Sequence, residues 1–214
     1  MTVTFEKGEN SRKKVLDAAF KLFRDQGYEN TTMRQIVVRS GVLNGSVYYA
    51  FKNKEGILES IICYYVDYLF DNIRDRDLDP MTYLLLAGSL ELHYSSGCRA
   101  VADLIYHANR SWNIMNRVVD RYMEYFEEYA DEKQWVFDRE EVRRHVMASQ
   151  GILYSFCSEY YLTENHTPVR DDLRHLLIYT SSFFRIPVID TEAVLDNILA
   201  KTDEMVGKLT ELKF

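Results

Sequence analysis

The chain has 214 residues, 47% hydrophobic and 28% charged, with a formal net charge of −7, a composition ordinary for a soluble globular protein of one or two domains. Only nine Gly and three Pro exclude a collagen-like or low-complexity chain and argue against a sandwich or barrel, which needs many more turn residues. The three Cys, at 63, 98 and 157, have no CxxC spacing, which excludes a disulfide framework and a zinc ribbon.

Residues 11–26 predict an amphipathic helix, with Leu16, Ala19, Phe20 and Phe23 on one face, Asn10 or Ser11 as its cap and Gly27 at its end. Thr31 and Thr32 offer cap hydroxyls for a short helix over about 32–39. Gly41 supplies a tight turn that needs φ > 0. A third short helix is expected from about Asn44 to Ala50. Lys54 opens a long fourth helix, with an apolar seam of Leu58, Ile61, Ile62, Tyr65, Leu69 and Ile73. It is expected to end near Asp77, before Asp79-Pro80, and would span ~36 Å. Further helices are expected over 81–95, 98–108, 112–131, 138–163, 168–184 and 190–211. No period-2 strand and no internal repeat is visible. The N-terminus MTVTFEKGENS has no signal-like apolar run. Glu59 and Asp67 interrupt the longest apolar stretch, 57–70. A cytoplasmic protein with reduced thiols and no membrane partner is therefore expected.

The charge is divided along the chain. Residues 1–55 carry ten basic and six acidic side chains, a net +4, whereas residues 56–214 carry −11. A basic head on an acidic body is the distribution expected when the head alone meets a polyanion, although a chance fluctuation of surface charge would look the same. The spacing of the elements tips the balance. Three short helices with a Gly turn between the second and third, followed by a long helix, form a helix-turn-helix pattern. In such a unit the helix at 32–39 braces against the DNA backbone and brings Thr32 and its own N–H groups to a phosphate. The helix from Asn44 lies in the major groove, where Asn44, Gly45 and Ser46 permit close approach to base edges. Tyr48 and Tyr49 reach phosphate or sugar, and Lys54 neutralises another phosphate. Arg34 joins the DNA-binding candidates; Arg39 reads as a solvated surface charge and Phe51 as core. The Arg12-Lys13-Lys14 cluster is either a backbone contact or a charged arm.

The stretch SRKKVLDAAFKLFRDQGYENTTMRQIVVRSGVLNGSVYYAFKNKEGILESII, residues 11–62, resembles the TetR family of bacterial transcriptional repressors. Its most specific parts are LDAAFKLFRDQGYENTTMRQI, SGV followed by NGSVYYAF, and KNKEGIL. The resemblance implies an all-α protein. A helix-turn-helix DNA-binding domain over 1–55 would be joined by a long helix to a helical ligand-binding and dimerisation domain over 56–214. It also puts Thr32, Asn44, Gly45, Ser46, Tyr48, Tyr49 and Lys54 at positions that commonly contact DNA. Val37, Leu43 and Ala50 depart from residues frequent in the family. Leu43 has no cap oxygen, so Asn44 is expected to take the capping role.

In the body, aromatic residues are expected mainly in the core or a dimer interface. An apolar pocket between 81–95, 98–131 and 138–163 is a second expectation, with His93, Tyr106, Trp112, Tyr122, Phe126 and Tyr154 as ligand candidates. No HExxH, GxSxG, P-loop or GxGxxG occurs, and the five His have no metal spacing, so no enzyme, metal site or cofactor is expected. Cys98 at a helix start could be a redox sensor, against a default of buried inert thiols for all three Cys. The expected protein is a homodimeric repressor on palindromic operator DNA. Its interface would come from 138–163 and 168–184, and a small-molecule inducer would alter the pitch of helix 54–77. An activator or an inducer-free repressor fits the same residues. The rival class is a helical enzyme or adaptor whose head is structural.

Overall fold

The computed structural model describes residues 2–74, 78–163 and 167–209, and side chains over a slightly narrower span. Ten helices form from them: α1 (Thr2–Gln26), α2 (Met33–Ser40), α3 (Asn44–Phe51), α4 (Lys54–Arg74), α5 (Pro80–Gly97), α6 (Arg99–Ala108), α7 (Trp112–Lys133), α8 (Arg139–Leu162), α9 (Val169–Phe183) and α10 (Thr191–Leu209). No strand occurs among the described residues, so the all-α expectation holds. The first helix is longer than expected: it runs through Asn10 and Ser11, which therefore do not cap it, and starts at Thr2. The ends expected at Asp77 and at residue 211 lie outside the described residues.

Two apolar clusters organise the chain. In the head, Phe23, Ile36, Val47 and Ile57 are fully buried against one another's helices. This cluster does not stop at residue 55: Ile61, Ile62 and Val66 of α4, Leu104 and Ala108 of α6 and Ile114 of α7 belong to it. The head is thus seated on α4 and α6 through shared core. Asp103 of α6 adds a polar clip. Its carboxylate accepts the Tyr28 backbone N–H at 2.7 Å and lies 3.2 Å from His107, whose other ring nitrogen is 3.4 Å from Glu29.

The second cluster surrounds α5. This helix is apolar all round, with Tyr83 through Leu90 buried in an unbroken run, so it must lie inside the body rather than on its surface. α6, α8, α9 and α10 pack around it, and α4 and α7 close the side nearer the head. Asp79 caps α5 by accepting from the N–H groups of Met81 and Thr82, both at 3.0 Å. Interior polar pairs add to this packing: Thr202 of α10 to Ser89 of α5 at 2.8 Å, and Tyr160 of α8 to Asp172 of α9 at 2.7 Å. No helix among the described residues is long and apolar enough to cross a membrane. Cys157 is buried as expected of an inert thiol, but Cys63 is half-buried and Cys98 is exposed.

Candidate nucleic-acid interface

The head presents α3 as a consequence of local chemistry. Thr32 and Gln35 form a reciprocal capping box: the Thr32 hydroxyl accepts from the Gln35 N–H at 3.3 Å, and the Gln35 side chain accepts from the Thr32 N–H at 2.8 Å. A cap of this kind fixes where α2 begins. Gly41 then takes φ +64°, a left-handed value that a Cβ would strain, and the chain turns into α3. The expected cap does not form. The first turn of α3 closes on the Leu43 carbonyl, which accepts from Ser46 at 2.9 Å and Val47 at 3.1 Å, and no side chain caps the helix. Asn44 is the first helical residue instead, because the Leu43 carbonyl already closes the turn. The leading N–H groups of α3 therefore keep no side-chain acceptor, an electrostatic invitation to an anion.

Val47 and Phe51 anchor α3 in the head core, and every other residue of the helix is exposed. Asn44, Gly45, Ser46, Tyr48, Tyr49 and Ala50 thus share one open surface, on which Tyr49 stands 93% exposed. Thr32 and Arg34, at the start of α2, are exposed as well. Past α3, Lys52 adopts φ +46° and points into solvent; the sequence pattern does not single it out. Asn53 caps α4 by accepting from the Gly56 N–H at 2.8 Å. Gly56 is required there because a Cβ would sit 2.8 Å from the Phe51 carbonyl oxygen.

Two cations have other work than expected. The Lys54 ammonium donates to the Tyr28 carbonyl at 2.7 Å, lies 3.4 Å from that of Glu29, and sits 4.2 Å from the centre of the Tyr28 ring. Burial lowers its pKa, and the side chain ties the start of α4 to the turn after α1. That engagement gives it a structural role beside the phosphate contact expected of it. Arg12 is no free arm: its guanidinium lies 4.6 Å from the Phe51 ring centre and donates to the Ser60 hydroxyl at 2.8 Å. Lys13 and Lys14 remain exposed beside it. Arg39 is exposed, as expected of a surface charge, and lies 3.4 Å from Asp25.

The six ligand candidates of the body are not brought together. Trp112, at the start of α7, is 67% exposed. Phe126 is buried solid, edge-on to Phe184 at 6.3 Å. Tyr106 and Tyr154 do meet, with ring centres 6.5 Å apart, in a cluster that includes Tyr161. His93 packs against Tyr94 at 5.7 Å. Tyr122 alone of the six lines a small interior cavity of about 40 Å³ between α4, α5, α6, α7 and α8. The polar residues of that cavity are Tyr65, Glu91, Asn109, Tyr122 and Gln150, and four of them escape the sequence pattern. One signal could have found Glu91: it is the sole charged residue of a helix that is apolar on every side.

Residues 15–61 match the family model for bacterial regulatory proteins of the tetR family. That segment carries the signature of the TetR family. It is 39% identical over 76 residues to the HTH-type transcriptional repressor KstR2 of Mycolicibacterium smegmatis, across 34% of this chain and 37% of that one. It is 28% identical over 128 residues to the HTH-type transcriptional regulator SrpR of Pseudomonas putida, across 57% and 60% of the two chains. These matches span less than two thirds of either relative's length. The TetR-family fold extends further than the sequence likeness. The structure of RolR in complex with resorcinol covers 90% of this chain at a TM-score of 0.63 and 13% identity, and that of FadR from Thermus thermophilus in complex with lauroyl-CoA covers 84% at 0.61 and 15%. TetR-family proteins are transcription regulators rather than enzymes, and the match favours that class over the enzyme alternative.

Proposed function

We propose that this protein is a ligand-responsive repressor that binds palindromic operator DNA as a homodimer. The observation that carries the reading is the open face of α3. Six of its eight residues are exposed, around two buried anchors, on a segment with net positive charge. An α-helix of this size enters the major groove, where Asn44, Gly45 and Ser46 meet base edges and Tyr48 and Tyr49 meet the backbone. Thr32 and Arg34 approach a flanking phosphate from α2. The acidic body is held off the duplex by the same electrostatics.

Support for a dimer comes from α8 and α9. Ala148, Gly151 and Ser155 make an exposed row of small residues on α8, and Leu162 of α8 and Ile178 and Tyr179 of α9 are exposed apolar side chains. Two copies joined there by a two-fold axis would set their α3 helices about 34–36 Å apart, or a multiple of that, to meet successive grooves. The interior cavity touches α4 and α6, both of which share core with the head, so a ligand there can bias the head's position. It does so only as far as it prefers one arrangement.

The test is a mobility-shift titration on the inverted repeat of the adjoining promoter at several salt concentrations. Full-length protein is expected to bind with a steep salt dependence and two-fold footprint symmetry. The variant Tyr49→Ala should lose at least tenfold in affinity with unchanged folding. Salt-insensitive binding, or full affinity in that variant, would reject α3 as the reading element.

A further inference from the structure

The interior cavity contains a polar arrangement that the fold does not use. The half-buried Glu91 side chain lines the cavity, with no hydrogen bond or ion pair to its carboxyl among the described residues. The Tyr65 hydroxyl and the Gln150 amide nitrogen are buried without hydrogen-bond partners and line the same space. An unpaired buried carboxyl destabilises a fold, and a leucine in its place would pack without that cost. The rest of the lining is apolar or aromatic, including Phe70 and Tyr122, and among the described residues it contains no Lys, Arg or His. Directly across Tyr65 lies a second cavity of about 50 Å³, which shares Ile62, Tyr65 and Ile105 with the first and is bounded on its far side by Phe20 and Tyr94. The Tyr65 side chain lines both.

We propose that this cavity binds a small apolar monocation, an amine whose ammonium pairs with Glu91 between the Tyr65, Phe70 and Tyr122 rings while its apolar body reaches past Tyr65 toward Phe20. A cation restores the charge balance that the fold leaves open, and aromatic faces strengthen its hold. A carboxylate or phosphate ligand would meet a second negative charge with no basic side chain to offset it. The inference rests on the reading of the cavity as the effector site and adds the effector's charge.

The titration follows from the surroundings. Burial pushes the Glu91 carboxyl up to about 7. The titratable groups facing it are Tyr65 from α4, Tyr122 from α7 and Cys157 from α8, all raised by burial and so neutral below pH 8. α6 contributes Ile105 and Ala108, and the turn after it Asn109, none of which titrates. Ionisation of Glu91 is thus the one event in this cavity between pH 6 and pH 8, and cation affinity should rise about tenfold across that interval.

Three matched probes test the proposal by calorimetry on the full chain at pH 8: benzylamine, benzyl alcohol and benzoate. Benzylamine is expected to bind at least tenfold more tightly than the alcohol, and benzoate least of all. The isosteric variant Glu91→Gln should remove the preference for the amine and leave the alcohol unchanged. Benzylamine affinity of the unaltered protein should fall about tenfold from pH 8 to pH 6, a readout that needs no variant. Equal binding of amine and alcohol, benzylamine affinity independent of Glu91 or pH, or no benzylamine binding at all overturns the proposal. A parallel operator mobility shift separates the two layers. Glu91-dependent amine binding that leaves DNA affinity unchanged supports this inference and rejects the effector reading. Release from DNA by the alcohol or benzoate, unaffected by Glu91→Gln, does the reverse.

Discussion

The head and the body handle polarity in opposite ways. In the head, the interior is apolar, the helix ends are closed by Thr32, Gln35 and Asn53, and the residues suited to recognition stand outside on α3. In the body, the outside is acidic and unremarkable in pattern, while the Tyr65 hydroxyl and the Gln150 amide nitrogen are buried without partners beside the Glu91 carboxyl. Recognition of a large rigid duplex calls for a stiff exposed surface. Recognition of a small molecule calls for a dry space with a few polar groups left without internal partners. A polar group that the fold has already paired has little left for a ligand.

The comparison can be broken first at the head's core. Phe23 is fully buried, and Phe23→Ala should cost about 3–5 kcal/mol in stability and abolish operator binding; urea denaturation followed by circular dichroism would measure it. A small loss would mean that the head is not the rigid scaffold described. Next comes Glu91, where the sign of the effect is opposite. Burial pushes its carboxyl up to about 7 when folded, from the 4.5 ordinary for a glutamate. The folded state therefore binds the extra proton between those values, and stability falls as pH rises through them. Glu91→Gln should stabilise the protein by on the order of 3 kcal/mol at pH 8 and have no effect below about pH 4.5. Matched denaturation curves at pH 8 and pH 4.5 check this, and a variant no more stable than the parent at pH 8 would mean the carboxyl is compensated.

A smaller effect is expected at Lys54. Losing its bonds to the Tyr28 and Glu29 carbonyls, Lys54→Ala should lose about 1–2 kcal/mol even in the absence of DNA. If stability holds and only the salt slope of DNA binding falls by one phosphate, Lys54 is a contact and not a clamp. The least change in stability, within about 0.5 kcal/mol, belongs to Tyr49→Ala. This side chain touches almost nothing in the free protein, so its predicted loss of operator affinity would arise at the interface alone.

Much of the head was legible from its residues. The Gly41 turn, the Thr32 start of α2 and the apolar seam of α4 are local signals, and each is where the spacing places it. Failures there were also local in appearance but tertiary in cause. Lys54 sits at a helix start, as a phosphate ligand would, yet its ammonium is claimed by a turn 26 residues away. Leu43 lacks a cap oxygen, and α3 nevertheless begins after it because Val47 and Phe51 are held in the core. In the body, aromatic character was a poor guide. Phe126 and Trp112 are equally aromatic, but one is sealed in the core and the other stands in solvent.

The amino-acid order alone determined the helices and the turn between α2 and α3, because capping, left-handed glycine and 3.6-residue periodicity act within a few neighbours. It also determined that α3 would offer small and tyrosine side chains. Only the tertiary structure decided which polar groups would end without partners. Pairing depends on which side chains from distant helices meet, and Glu91 is left alone because five helices converge on it without bringing a cation.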